Sequence, residues 1–195
     1  ISHGRDKMTL RYVPSGAPVR DTEYPMNRAV LGDDIPNGEY TETLYRRLME
    51  DLRRELLFKT RRYMEDKESG KNPAFDFKLE SMIPVLKGEM PLKAHAHRHD
   101  DILTSIRIAK EFGVKLTLDH CTDGSVIADE LAKEGYPAFV GPSLGGKSKI
   151  ELANKAFSTP ADLAQAGVDI SIITDAPVIP LHHLPMCAGL AANAG

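Results

Sequence analysis

From residue 89 onward the chain alternates short apolar runs with helix-like segments, and no other feature of the sequence constrains the fold as tightly. Leu92–His95 reads as a strand and Asp100–Gly113 as a helix, followed by a strand at Lys115–His120 and a helix at Ser125–Gly135. A strand at Ala138–Gly141, a glycine-rich loop, a weak helix near Lys149–Phe157 and a helix at Pro160–Gly167 come next. Asp169–Thr174 is strand-like again, and Leu184 onward is helical. Strands separated by helices of this length predict a parallel sheet built from βα units. The strand-end positions His95, His120, Ser143 and Asp175 lie 25, 23 and 32 residues apart. A (β/α)8 barrel spends about 30 residues per unit, so these intervals suit successive barrel strands. They suit an open doubly wound sheet equally, and spacing does not choose between the two.

Upstream the pattern differs. Residues 1–38 are rich in turn formers, with one strand-like run at Met8–Val13, and read as an irregular segment. Over Glu39–Asp66 the leucines at 44, 48, 52 and 56 recur every fourth residue among strong helix formers, which predicts the longest helix of the chain. The arginine pairs of that helix are interleaved with Glu and Asp, the pattern of a solvated face with local ion pairs. Lys67–Pro73 is a polar breaker run, and a shorter helix follows, with an apolar side from Phe75, Phe77, Leu79, Met82, Ile83 and Leu86 and a stop at Gly88. The expected organisation is therefore 1–38 irregular, 39–88 helical, and 89–195 built from βα units.

Composition narrows the function classes. A 195-residue chain with 42% hydrophobic residues can bury a core. With 25 basic and 28 acidic residues it has no electrostatic case for nucleic acid or an anionic membrane. No apolar run approaches the roughly 20 residues needed to span a bilayer. Cys121 and Cys187 lack any paired spacing, which argues against a disulfide scaffold or zinc knuckle and fits a reducing cytoplasm. Cys121 is expected in the core and Cys187 in a helix packing contact. The chain opens at Ile1 and stops within helix-like AANAG, so a fragment of a longer protein is expected.

The chemistry gathers at the strand ends. His95 and His97 are two residues apart and share a face on a strand. His95, His120 and Asp175 each stand at the end of a predicted strand, and parallel strands bring such ends to one rim. Imidazole and carboxylate suit zinc and similar divalent ions, with about three protein ligands in a catalytic site and one position left for water. A lone strand-end histidine is ordinarily a satisfied core residue; three ligand-type residues at corresponding positions are harder to explain by packing. One motif competes. Gly141–Ser148 fits G-x-x-x-x-G-K-S, the phosphate-cradling loop of nucleotide-binding proteins, and its confirmation requires a helix opening at its end.

The segments KAHAHRHDDILTSIRIAKEFG, LTLDHCTDG and IITDAPVIP, in that order, resemble the amidohydrolase superfamily, closest to its imidazolonepropionase-like branch. The resemblance covers roughly Phe75 to Gly195. It implies a metal-dependent hydrolase on a partial (β/α)8 TIM barrel, with this chain supplying the last four strands after a long helix. Carried over by position, His95 is a metal ligand on the fifth strand and His120 the histidine of the sixth. Asp175 is the eighth-strand aspartate that contacts the metal-bound water and accepts its proton. Zinc is the first choice of metal for this set. The substrate is a small molecule with an amide or cyclic amide C–N bond. His97 and Arg98 are candidate substrate-binding residues, although Arg98 to Asp101 equally read as the start of a helix. His182 and His183 read as surface-loop residues. The family's first-strand His-x-His pair is missing, since His3 is the only histidine upstream of His95. A catalytically silent barrel therefore stands as an alternative, and the exposed edges of a partial barrel predict a homo-oligomer.

Overall fold

The computed structural model describes the backbone of residues 39–195 and the side chains from residue 52 onward. The irregular segment, its expected strand at Met8–Val13, and the side chains of Leu44 and Leu48 lie outside the described residues. Contacts divide the chain into two compact units, Ile1–Glu80 and Ser81–Gly195.

In the first unit helix α1 spans Glu39–Glu68. Among its described side chains the deepest are Leu57, Thr60 and Tyr63, one step around the helix from Leu52 and Leu56, which are half-buried. Thr60 is buried without cost because its hydroxyl donates to the Leu56 carbonyl one turn back, at 2.8 Å. The exposed Lys59–Glu55 pair at i, i+4 is of the expected local kind. Helix α2, Phe77–Leu86, runs across the boundary between the units, and its buried residues Met82 and Val85 belong to the second. Phe75 and Phe77 do not join that apolar side. Phe75 precedes the helix, and both rings are exposed, at 74% and 78%.

The second unit is a four-stranded parallel sheet alternating with helices: β1 Leu92–Ala96, α3 His99–Phe112, β2 Leu116–His120, α4 Ala128–Glu134, β3 Ala138–Val140, α5 Thr159–Ala166, β4 Ile170–Ile172 and α6 Leu184–Ala194. The strand order is β1-β2-β3-β4, with every pair parallel. This order decides between the two architectures left open by spacing. A doubly wound sheet reverses its order at a switch point, whereas a barrel adds each strand on the same side of the last. The fold is an α/β arrangement of four consecutive βα units, a partial (β/α)8 barrel.

One face of the sheet is covered and the other carries polar groups. Ala94, Ala96, Leu116, Leu118, Ala138 and Val140 are buried, together with Ile102, Ile106, Ile108, Ala109 and Phe112 of α3. On the alternate positions Lys93 pairs with Asp119 at 3.2 Å and lies 4.8 Å from the Phe139 ring centroid. α3 ends where Gly113 takes a left-handed φ of 67°, which lets the amides of Gly113 and Val114 turn back to the carbonyls of Lys110 and Ala109. The weak helix expected near Lys149–Phe157 is a single 3-10 turn, Ile150–Leu152. Residues 141–158 are otherwise loop, and the fourth strand is shorter than its apolar run because the chain leaves it at Ile173.

Candidate metal centre

Register pairs Ala96 with His120 and His95 with Asp119, so strand alternation alone would set His120 on the covered face with Leu116 and Leu118. It does not stay there. The backbone leaves the extended conformation at the end of β2, and His120 and Cys121 take consecutive left-handed φ values of 75° and 51°. Such values cost on the order of 1–3 kcal/mol each in non-glycine residues and persist only where the surroundings fix them. Here the Cys121 N–H donates to the Ala96 carbonyl at 3.0 Å, and Cys121 itself is fully buried. Burial pushes its thiol up to about 12, with the Asp123 carboxylate adding to the effect. Cys121 is thus the core residue expected, and Cys187 is likewise a buried, free thiol.

The turn delivers His120 to His95 and His97. The ring centroids of His95 and His120 are 4.2 Å apart, those of His97 and His120 4.6 Å, and those of His95 and His97 5.0 Å. One ligand-type nitrogen from each lies within 4.8 Å of the other two. Among the described residues this is a group whose composition fits a metal ion. His120 Nδ1 is 2.6 Å from the Gly141 carbonyl, which can only accept, so that nitrogen carries a proton and in the neutral ring Nε2 has the lone pair. Nε2 is 3.0 Å from His95 Nδ1. His97 Nδ1 is held by the Thr122 hydroxyl at 2.7 Å. A ring whose second nitrogen is fixed by a protein oxygen is the usual way of aiming an imidazole at a metal.

Electrostatics favour a neutral ring at His97. Burial pushes His97 down to about 2, and the imidazoles of His120 and His95 and the ammonium groups of Lys149 and Lys155 act in the same direction. Neutral imidazole is the ligand form. The donor set therefore fits a divalent cation of borderline softness, zinc among them.

The remaining sequence-derived residues fall elsewhere. Asp175 is exposed, three residues beyond β4, with a left-handed φ of 51°, and its carbonyl accepts the Val178 N–H at 2.8 Å; it is not one of the grouped ligands. Arg98 is the N-cap residue of α3, and its Nε and Nη2 donate to the Asp100 carboxylate at 3.1 and 3.2 Å, the helix-start arrangement. His182 and His183 contact each other, with ring centroids 4.1 Å apart, in the 3-10 turn before α6. Histidine spacing signals His97 as a neighbour of His95 but not as a third member of the group. No sequence signal marks Thr122 or Asp123, and Gly141 stands out only as the first residue of the phosphate-loop motif; the roles of all three depend on the turn after β2.

The phosphate-loop motif lacks its context. A three-residue 3-10 turn, not a helix, follows Ser148. Its lysine points back into its own loop, Lys147 Nζ donating to the Ala153 carbonyl at 2.8 Å.

No protein-family model and no curated protein matches the chain. Among solved structures it is similar to an amidohydrolase from Thermotoga maritima MSB8, with a TM-score of 0.72 and 38% sequence identity. The match covers 75% of this chain and 40% of that one, so the chain spans less than half the length of the protein it resembles. Likeness in both fold and sequence supports the amidohydrolase superfamily for this chain.

Proposed function

We propose that the chain forms the metal-binding part of a hydrolase that cleaves an amide or cyclic amide C–N bond of a small molecule, in the manner of the imidazolonepropionase-like amidohydrolases. The observation that carries this reading is the group of three imidazoles, with the protonated nitrogen of His120 pinned to the Gly141 carbonyl. His95, His97 and His120 would hold the ion, with zinc the first choice. A bound divalent cation supplies a water of lowered pKa and polarises the substrate carbonyl. The chain's own residues do the rest. Gly141 sets the His120 tautomer and Thr122 holds the His97 ring in place, so neither ring needs to reorient. Asp175 is assigned the proton transfer: its carboxylate takes the proton of the attacking water and returns it to the leaving nitrogen. We place the protein in the cytoplasm, in keeping with its two free, buried thiols. No helix among the described residues is long and apolar enough to cross a membrane.

Elemental analysis after mild dialysis tests the reading, on the wild type and on a His95→Ala, His120→Ala double variant. Near-stoichiometric zinc in the wild type, absent from the variant, is the expected result. A wild type without metal, even after incubation with zinc, sinks the proposal and leaves a catalytically silent barrel.

A further inference from the structure

Asp123 is buried to 5% exposure, three residues after His120, and a carboxylate so placed is costly unless its lone pairs are met. They are met from two other segments. Oδ2 accepts the His99 backbone N–H at 3.1 Å and stands 3.2 Å from His99 Nδ1. Oδ1 accepts from Asn154 Nδ2 at 3.1 Å, and the Asp123 backbone N–H donates to the His97 carbonyl at 2.8 Å. The simpler account is a helix cap supplied from outside, since Arg98 offers α3 no side-chain cap. A cap needs one oxygen and one amide. It does not explain the second oxygen, which reaches the loop after β3, or the backbone bond to His97 itself.

We infer that Asp123 is the positioning residue of the imidazole group. It fixes the β1–α3 turn that carries His97 against the β2 turn that carries His120. Through Asn154 it ties the loop after β3 to the same frame, so the loop and the metal ligands move as one. The inference rests on the metal reading above for its consequence, though not for its geometry.

The test uses the whole chain titrated with Co2+, whose visible absorption reports ligand geometry. Asp123→Asn keeps the shape but turns one acceptor oxygen into a donor amide facing an N–H. It is expected to weaken Co2+ binding about 10- to 100-fold, the range seen for groups that orient metal ligands, and to alter the absorption band. Asn154→Ala, at an exposed position, is expected to do the same to a smaller degree. A merely structural aspartate would lower the melting temperature and leave affinity and band unchanged well below it. In the metal-free chain the imidazole 15N resonances of His97 should shift in both variants. A folded Asp123→Asn chain with wild-type Co2+ affinity and unshifted His97 resonances overturns the inference. If that variant does not fold, Asn154→Ala decides by the same two readouts. A wild type that binds no Co2+ defeats the metal reading, while the His97 resonances still judge Asp123.

Discussion

Gly141 controls His120 from the neighbouring strand, and its own backbone explains why no other residue serves there. Its φ is 138°, and a Cβ added to it would lie 2.2 Å from the Ile173 carbonyl oxygen, a rigid backbone atom. The same residue's carbonyl takes the His120 Nδ1 proton. Gly141→Ala must therefore move either β3's end or the chain beyond β4, and with it the oxygen that sets the His120 tautomer. The expected loss is on the order of 1–3 kcal/mol from the backbone conformation alone, with weaker Co2+ or Zn2+ binding on top. Gly146→Ala is the control, since a Cβ there meets nothing within 4 Å and Gly146 is not a positive-φ residue. Thermal melts and metal titration of the two variants check this, and equal behaviour would remove Gly141 from the site. The glycines of the G-x-x-x-x-G-K-S run were legible as a phosphate loop by residue type. Only the contact between its carbonyl and His120 Nδ1 shows that the first of them serves the histidine.

At the scale of the element, α1 and the first turn of α2, both within the first unit, meet in a polar clamp. Tyr63 Oη donates to Glu80 Oε1 at 2.7 Å, and Lys67 pairs with the same oxygen. The hydrogen bond from Lys67, then that from Tyr63, holds the Glu80 carboxyl below its usual 4.5. A depressed carboxyl favours the folded form while it is ionised, so this contribution is full above about pH 4.5 and fades as pH falls below it. Tyr63 shifts the opposite way, above 10.0, because ionising it beside Glu80 breaks the shared bond. The Lys67–Glu80 pair is open to solvent and screened by salt, so its effect is small. Acid titration should show the Glu80 carboxyl 13C resonance moving at lower pH in the wild type than in Lys67→Ala. Coincident titrations would mean that the pair does not form in solution. The two helices were readable from periodicity, and the end of α2 from Gly88. Tyr63 and Glu80 are 17 residues apart, and nothing in the local pattern pairs them.

On the scale of the molecule, the sheet ends in two edges, β1 and β4, with no strand beside them among the described residues. The face away from the helices carries Lys93, Thr117 and Asp119. Open edges, with their unpaired backbone N–H and C=O groups, favour strand-to-strand association. We propose a homo-oligomer that joins these edges. Light scattering is expected to give at least a dimer at tens of micromolar, with Pro substituted at Ile172 on the β4 edge shifting it toward monomer. A monomer at high concentration would refute the proposal.

Sequence alone determined the alternation of strand and helix, because burial of parallel strands and amphipathic helices writes its period directly into residue order. It also placed His95 and His120 at strand ends. The tertiary structure decided three things that periodicity cannot carry. Sequential strand order selected the partial barrel, since order depends on which neighbour each strand pairs with. The left-handed turn at His120 and Cys121 brought His120 across to His95 and His97, because backbone conformation at a strand's end is fixed by distant acceptors such as Ala96 and Gly141. Asp123 joined three segments, since a buried carboxylate is satisfied by whatever donors the fold brings near, however far apart they lie in the chain.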